Sequence, residues 1–124
     1  MNQDNKIQSF TLEDLDAVVK IENKCHLIPW TRKNFNDSHN AKNLFNVLKN
    51  GDDIIGYCIS LFAVDECQLL NITVKSDFQK KGFGELMLKN IFNECKKANI
   101  INIFLEVRRS NSSAIRLYEK NGFN

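Results

Sequence analysis

The sequence has no apolar run near the ~20 residues that cross a bilayer, so no membrane-spanning helix is expected. Its first residues, Met1 to Lys6, are polar and lack the apolar centre of a signal peptide. There are four cysteines, Cys25, Cys58, Cys67 and Cys95, and none forms a C-x-x-C pair. Two sit within apolar runs, so they read as buried free thiols in a reducing cytosol rather than a disulfide framework. A zinc site needs closer ligand spacing, which the two histidines, His26 and His39, do not supply, so no metal is expected. The net charge of +2 is too mild for a nucleic-acid binder, and no basic stripe with interleaved aromatics is present. Repeats, low-complexity tracts and linkers are also lacking, and 124 residues suffice for one domain and not two. These absences predict a single-domain cytoplasmic protein with neither nucleic acid nor membrane as partner. They leave room for a local basic patch that receives an anionic ligand.

What is present is periodic. Thr11-Leu12-Glu13-Asp14 resembles a capping box, and Leu12, Leu15, Val18, Val19 and Glu22 follow at helical spacing, the first four apolar. A helix is predicted over Leu12 to Lys24. The one proline, Pro29, disfavours helix before it, and Thr31 can cap a second helix from Arg32 to Ser38. Leu44 to Lys49 and Ile54 to Phe62 read as strands joined by a tight turn whose Asn50-Gly51 supplies positive φ. Cys67 to Val74 is a third strand. Lys75 to Phe78 connects it to an amphipathic helix with Leu88, Ile91, Phe92 and Cys95 on one face. Ile100 to Val107 reads as a further strand, and a helix from Asn111 to Asn121 ends at Gly122. The predicted order is α, α, β, β, β, α, β, α. A β-α-β unit at its centre calls for two parallel strands.

Three features carry candidate chemistry. Gln79-Lys80-Lys81-Gly82-Phe83-Gly84 stands between a strand and a helix. Its glycines allow close backbone approach, and unpaired first-turn amides suit anionic oxygens. Two lysines at a helix start oppose the helix dipole unless an anion binds there. Solvated lysines on an ordinary turn remain the alternative. No Gly-Lys-Ser/Thr P-loop and no full dinucleotide fingerprint is present. Glu106 is one acid in the apolar strand Ile103-Phe104-Leu105-Glu106-Val107. It is either a strand-end residue facing water or a general base raised by desolvation. Tyr118, at helical spacing with Ala114, is either a core aromatic or a proton-donating phenol with a packed ring. Arg108, Arg109 and Arg116 read as surface charges.

Taken in order, Leu70-Asn71-Ile72-Thr73-Val74, the basic glycine turn, Leu105-Glu106-Val107-Arg108, Asn111 and Leu117-Tyr118-Glu119-Lys120-Asn121-Gly122-Phe123 resemble the GNAT acetyltransferases. The turn matches the Q/R-x-x-G-x-G/A element of that superfamily. With His26-Leu27-Ile28-Pro29-Trp30 added, the chain is similar to the RimI-type ribosomal-protein-alanine acetyltransferases from about Phe10 to its last residue. The resemblance implies the acyl-CoA N-acyltransferase fold, an α/β (α+β) arrangement with a mixed, mostly antiparallel sheet flanked by helices. It implies acetyl-CoA as co-substrate, and the N-terminal peptide of a ribosomal protein as the acceptor. The backbone of Ile72, Thr73 and Val74 would hold the pantetheine arm. The amides of Lys80, Lys81, Gly82, Phe83, Gly84 and Glu85 would hold the pyrophosphate, and Asn111 would contact the reactive end. Glu106 would be the base, Tyr118 the acid, and His26, Pro29 and Trp30 the border of the peptide groove. Members of the family usually continue for two strands beyond Gly122-Phe123-Asn124. The resemblance therefore also implies a domain incomplete at its C-terminus and lowered in stability. Two further readings stay open: a CoA-binding remnant without activity, and a member that acetylates a small amine or a lysine.

Overall fold

The computed structural model describes residues 5–105 and 112–123. Among these residues five strands form one sheet in the order β1-β2-β3-β4-β5. They are β1 (Asn5–Ser9), β2 (Leu44–Asn50), β3 (Asp53–Ala63), β4 (Glu66–Val74) and β5 (Asn102–Leu105). The first four pair antiparallel and β5 joins β4 in parallel, as a helical crossover requires. The helices are α1 (Leu15–Cys25), α2 (Arg32–Asn40), α3 (Phe83–Lys97) and α4 (Ser112–Lys120). The mixed, mostly antiparallel sheet flanked by helices is the fold that the motifs implied.

Local chemistry explains most boundaries. The Asp14 carboxylate accepts from the Thr11 N–H at 2.9 Å, which folds Leu12–Asp14 into a 3₁₀ turn and delays the α-helix to Leu15. Thr31 Oγ1 accepts from the Asn34 N–H, and Asn34 Oδ1 accepts from the Thr31 N–H, so α2 starts at a reciprocal cap. The β2–β3 hairpin closes between Asn50 and Asp53, with positive φ at Gly51 alone; Asn50 stays in its strand, which corrects the Asn-Gly expectation. Asn99 ends α3 in the left-handed region while the Ile100 N–H returns to the Cys95 carbonyl at 2.8 Å. Ile100 thus closes the helix, and the strand begins later than predicted, at Asn102. One strand was not predicted: β1, where Asn5–Ser9 pairs with β2 from Asn5↔Asn50 to Ser9↔Asn46.

The sheet separates two cores. Phe10, Val18, Ile21, Phe35 and Tyr57 pack with α1 and α2 on one face. Ile55, Leu69, Leu88, Ile91 and Tyr118 pack with α3 and α4 on the other. Cys58, Cys67 and Cys95 belong to the second core and are free thiols; burial pushes Cys58 and Cys67 up to about 12. A bulge on β4 matters for function. Ile59 pairs with Asn71 and Ser60 with Leu69, so Leu70 is an extra residue. Before it, Cys67 and Leu69 face α3; after it, Ile72 and Val74 do. The bulge therefore hands Asn71 and Thr73 to the α1 face, where they meet Glu22 and His26.

The β3–β4 turn holds Val64 at φ 52° with its side chain 99% exposed. A β-branched residue resists the left-handed region, and asparagine tolerates it. Val64→Asn is expected to raise stability by about 0.5–1 kcal/mol, read as a higher urea midpoint, because no packing is lost in exchange.

Candidate active site

The turn Gln79–Gly84 sets the geometry. Lys80 and Gly82 both take left-handed backbone, at φ 63° and 89°. Gly82 is the residue before α3, and no side chain caps that helix start. The first amides of α3 therefore keep free donors at a dipole end that favours negative charge. Gly84 is the second residue of α3, and a Cβ there would lie 3.2 Å from Leu117 Cδ2, so a glycine lets α4 close against α3. Glu85 ties the two helices together: its carboxylate meets Lys120 Nζ at 3.2 Å and Asn121 Nδ2 at 3.3 Å. The hydrogen bond from Lys120, with that from Asn121, holds the Glu85 carboxyl below the usual range.

Between this turn, the end of β4 and the α1–α2 loop lies a cavity of about 650 Å³. Lys80, Gly82, Gly84 and Glu85 line one side, with Tyr118 and Lys120 from α4. Ile72, Thr73 and Val74 form the floor, and Cys25, His26, Leu27 and Ile28 the opposite wall. The described parallel pairing of β4 with β5 runs to Leu69↔Leu105, so these floor residues lie past it. The Val74 carbonyl is already engaged, accepting from Gln79 Nε2 at 2.9 Å and from the Cys25 thiol at 3.6 Å. Leu27 and Ile28 are 88% and 69% exposed, an apolar rim open to solvent. The Tyr118 ring is buried, edge-on to Phe123 at 5.7 Å, and that burial raises its phenol pKa, so the hydroxyl remains a donor at neutral pH.

Several sequence candidates thus converge: His26, Ile72, Thr73, Val74, Lys80, Gly82, Gly84, Glu85 and Tyr118 share one cavity. The side chains of others are turned elsewhere. Lys81 places its ammonium over the Phe78 ring at 5.8 Å, and Phe83 packs with the core beside Phe78. Trp30 stacks obliquely on Phe35 at 5.1 Å and belongs to the other core, and Pro29 is not part of the cavity wall. Glu106 and Asn111 lie outside the described residues.

The residue that sequence reasoning missed is Glu22. It is 2% exposed and stands on the buried face of α1. Its Oε1 accepts from Tyr57 Oη at 2.7 Å and from Asn71 Nδ2 at 3.1 Å, and its Oε2 from the Trp30 N–H at 3.0 Å. Burial first, and the Glu22 charge second, push the Tyr57 phenol up, which keeps it a donor. The signal was an acid at apolar spacing, four residues beyond Val18. Glu22 anchors the Trp30 end of the loop whose His26–Ile28 segment faces the cavity.

The chain is similar to known proteins along most of its length. The acetyltransferase (GNAT) family model matches residues 15–123. The chain is 37% identical over 121 residues to the [ribosomal protein bS18]-alanine N-acetyltransferase of Escherichia coli strain K12, covering 97% of this chain and 81% of the relative. It is 30% identical over 118 residues to a putative [ribosomal protein bS18]-alanine N-acetyltransferase of Bacillus subtilis, covering 94% and 78%. The crystal structure of the Escherichia coli ribosomal-protein-S18-alanine N-acetyltransferase superposes with a TM-score of 0.90 at 36% identity, over 97% of this chain and 77% of that one. Ard1 from Thermoplasma volcanium superposes at 0.92 with 25% identity, over 98% and 83%. With an uncapped helix start, a left-handed basic turn and the end of β4 meeting around one cavity, the chain belongs to the GNAT acetyltransferase family and is an N-acetyltransferase.

Proposed function

We propose that this chain moves the acetyl group of acetyl-CoA to the N-terminal α-amine of an alanine on a ribosomal protein of the bS18 kind. The observation that carries the reading is the cavity itself, which joins an uncapped helix start to an apolar rim across about 650 Å³. Its residues fit the coenzyme's chemistry. The unpaired amides at Gly82–Glu85 and the Lys80 ammonium suit a diphosphate, and the β4 floor at Ile72–Val74 suits an amide-bearing arm. Acetyl-CoA supplies an activated acyl thioester, and the protein supplies position and proton transfer.

An ammonium has no lone pair, so the acceptor must first lose a proton. An α-amine, with pKa about 7.7–8.0, is easier to deprotonate than a lysine at about 10.4, a gap worth roughly 3.5 kcal/mol. Glu106, through water, takes the proton that leaves the attacking nitrogen. As the new N–C bond forms and the C–S bond breaks, Tyr118 gives its proton to the sulfur. The rim of Leu27 and Ile28 offers apolar contact to the residues behind the reacting alanine.

Incubating a short alanine-initiated peptide with acetyl-CoA and weighing the product by mass spectrometry tests the reading. One acetyl group is expected on the free peptide and none on the same peptide with a blocked N-terminus. Glu106→Gln is expected to lower turnover by about 10²-fold or more while calorimetry still registers CoA binding. Acetylation of a lysine in the blocked peptide would overturn the α-amine assignment. Binding of CoA with no turnover on any peptide would identify a non-catalytic relative.

A further inference from the structure

We infer that Nδ1 of His26 is a hydrogen-bond acceptor for the incoming amine, held in that form by a one-way chain that starts at the buried carboxylate of Glu22. The inference rests on the amine-acetylating reading of this cavity. It assigns a specific atom to amine capture and a positioning role to Glu22, Asn71 and Thr73.

The direction of each bond in the chain follows from the one before. Glu22 accepts on both oxygens, from Tyr57, Asn71 and the Trp30 N–H. A carboxylate that only accepts forces the Asn71 amide to turn its NH₂ inward, at 3.1 Å. The Asn71 carbonyl oxygen must then face Thr73, whose hydroxyl donates to it at 2.7 Å. Thr73 has one proton and has used it, so toward His26 Nε2, at 2.8 Å, its oxygen can only accept. Nε2 of His26 therefore carries a hydrogen, and in the neutral ring it is the only one. The Glu22 oxygen 3.6 Å from the same nitrogen favours that hydrogen electrostatically.

A neutral imidazole with Nε2–H leaves Nδ1 bare. Nε2 is committed to the interior, yet the side chain is 31% exposed and the residue lines the cavity. The ring edge bearing Nδ1 is the part left to face that space. Among the described residues Nδ1 has no hydrogen-bond partner. The amine nitrogen needs its lone pair for attack, so its N–H bonds are what a wall residue can grip. An acceptor aimed from the wall opposite Tyr118 orients the nitrogen without consuming that lone pair. The β4 bulge is what makes the chain possible, since with Leu70 paired in regular alternation Asn71 and Thr73 would share the α3 face of Leu69.

The tautomer is read directly by long-range ¹H–¹⁵N correlation on the full chain. Hydrogen on Nε2 and a bare Nδ1 are expected; hydrogen on Nδ1 would overturn the inference. Titrating the CoA-bound chain with a short peptide bearing a free N-terminal alanine should move the His26 Nδ1 resonance, whereas the N-acetylated peptide should not. Equal shifts with both peptides, or none with either, would also overturn it. His26→Gln keeps a donor toward Thr73 and replaces Nδ1 with a carbonyl oxygen at a displaced position on a flexible side chain. It is expected to weaken binding of the free peptide by about five- to tenfold with CoA affinity unchanged. Thr73→Val, which leaves the histidine in place, is expected to release the ring into both tautomers; a pure Nε2–H form in that variant would show that the chain does not set it. If the free amine moves Nδ1 but the alanine peptide is never acetylated, the substrate assignment falls and the acceptor stands.

Discussion

Glu22→Met is expected to lower the unfolding free energy by about 3 kcal/mol or more, because it removes one acceptor and strands three donors. Tyr57 Oη, Asn71 Nδ2 and the Trp30 N–H all end on this carboxylate, and Tyr57 is wholly buried. Each buried donor left without a partner costs roughly 1–3 kcal/mol, and methionine fills the space without satisfying any. Replacing a whole buried polar cluster by apolar groups can be nearly neutral, but here only the hub is removed. Against a total stability of about 5–15 kcal/mol for domains in general, such a loss is large. Glu22→Gln keeps one carbonyl oxygen and adds an NH₂ that must face a donor, so an intermediate loss is expected. Urea unfolding of the three proteins checks the order. A Glu22→Met midpoint within error of the parent would mean that the loop and β4 are held by something other than this carboxylate.

The same residue marks how far the sequence could be read. Helical spacing placed Glu22 on the buried stripe of α1, and an acid in that position announces a buried partner. Which partner was not legible, since Tyr57 and Asn71 lie 35 and 49 positions away. The helices and central strands were legible because their signals are local: the Thr31 cap, Gly51 in its turn, the apolar face of α3. β1 was not, since Asn5–Ser9 has one apolar residue, Ile7, and joins the sheet through backbone pairing that leaves no pattern in side chains. The adjacent leucines Leu69 and Leu70 break the period of two and mark the bulge, but only the register with β3 shows which is extra. In the site, the turn motif singled out a segment that lines the cavity without telling which lysine lines it. Lys80 does, from a left-handed backbone, and Lys81 lies over Phe78 instead. The Pro-Trp segment likewise singled out a loop beside the cavity, while its tryptophan packs against the core and His26, Leu27 and Ile28 line the cavity.

Tyr118→Phe is expected to lower acetyl transfer by about 10²-fold with folding and CoA affinity nearly intact, the general-acid contribution being roughly 10²–10⁴-fold. The substitution keeps the ring, and with it the packing on Phe123 and the second core, so stability does not carry the effect. What is lost is one hydroxyl on a residue that lines the cavity. Burial raises that phenol's pKa, which matters in two ways. First, the hydroxyl stays protonated through neutral pH, so it is present as a donor when the C–S bond breaks, and a thiolate of pKa about 8.5 is basic enough to accept. Second, a folded-state pKa above the unfolded value of about 10 stabilises the fold fully below that pH and less as pH climbs past it. Tyr57 is shifted the same way, so the parent should lose stability above about pH 10 and Tyr118→Phe should keep part of that sensitivity. Turnover, CoA calorimetry and an alkaline melting series on the two proteins separate the roles. A Tyr118→Phe variant that acetylates at the parent rate removes the phenol from proton transfer and leaves it as packing. A variant that fails to bind CoA would instead mean that the hydroxyl shapes the cavity, because a missing proton donor slows a step and does not empty a site.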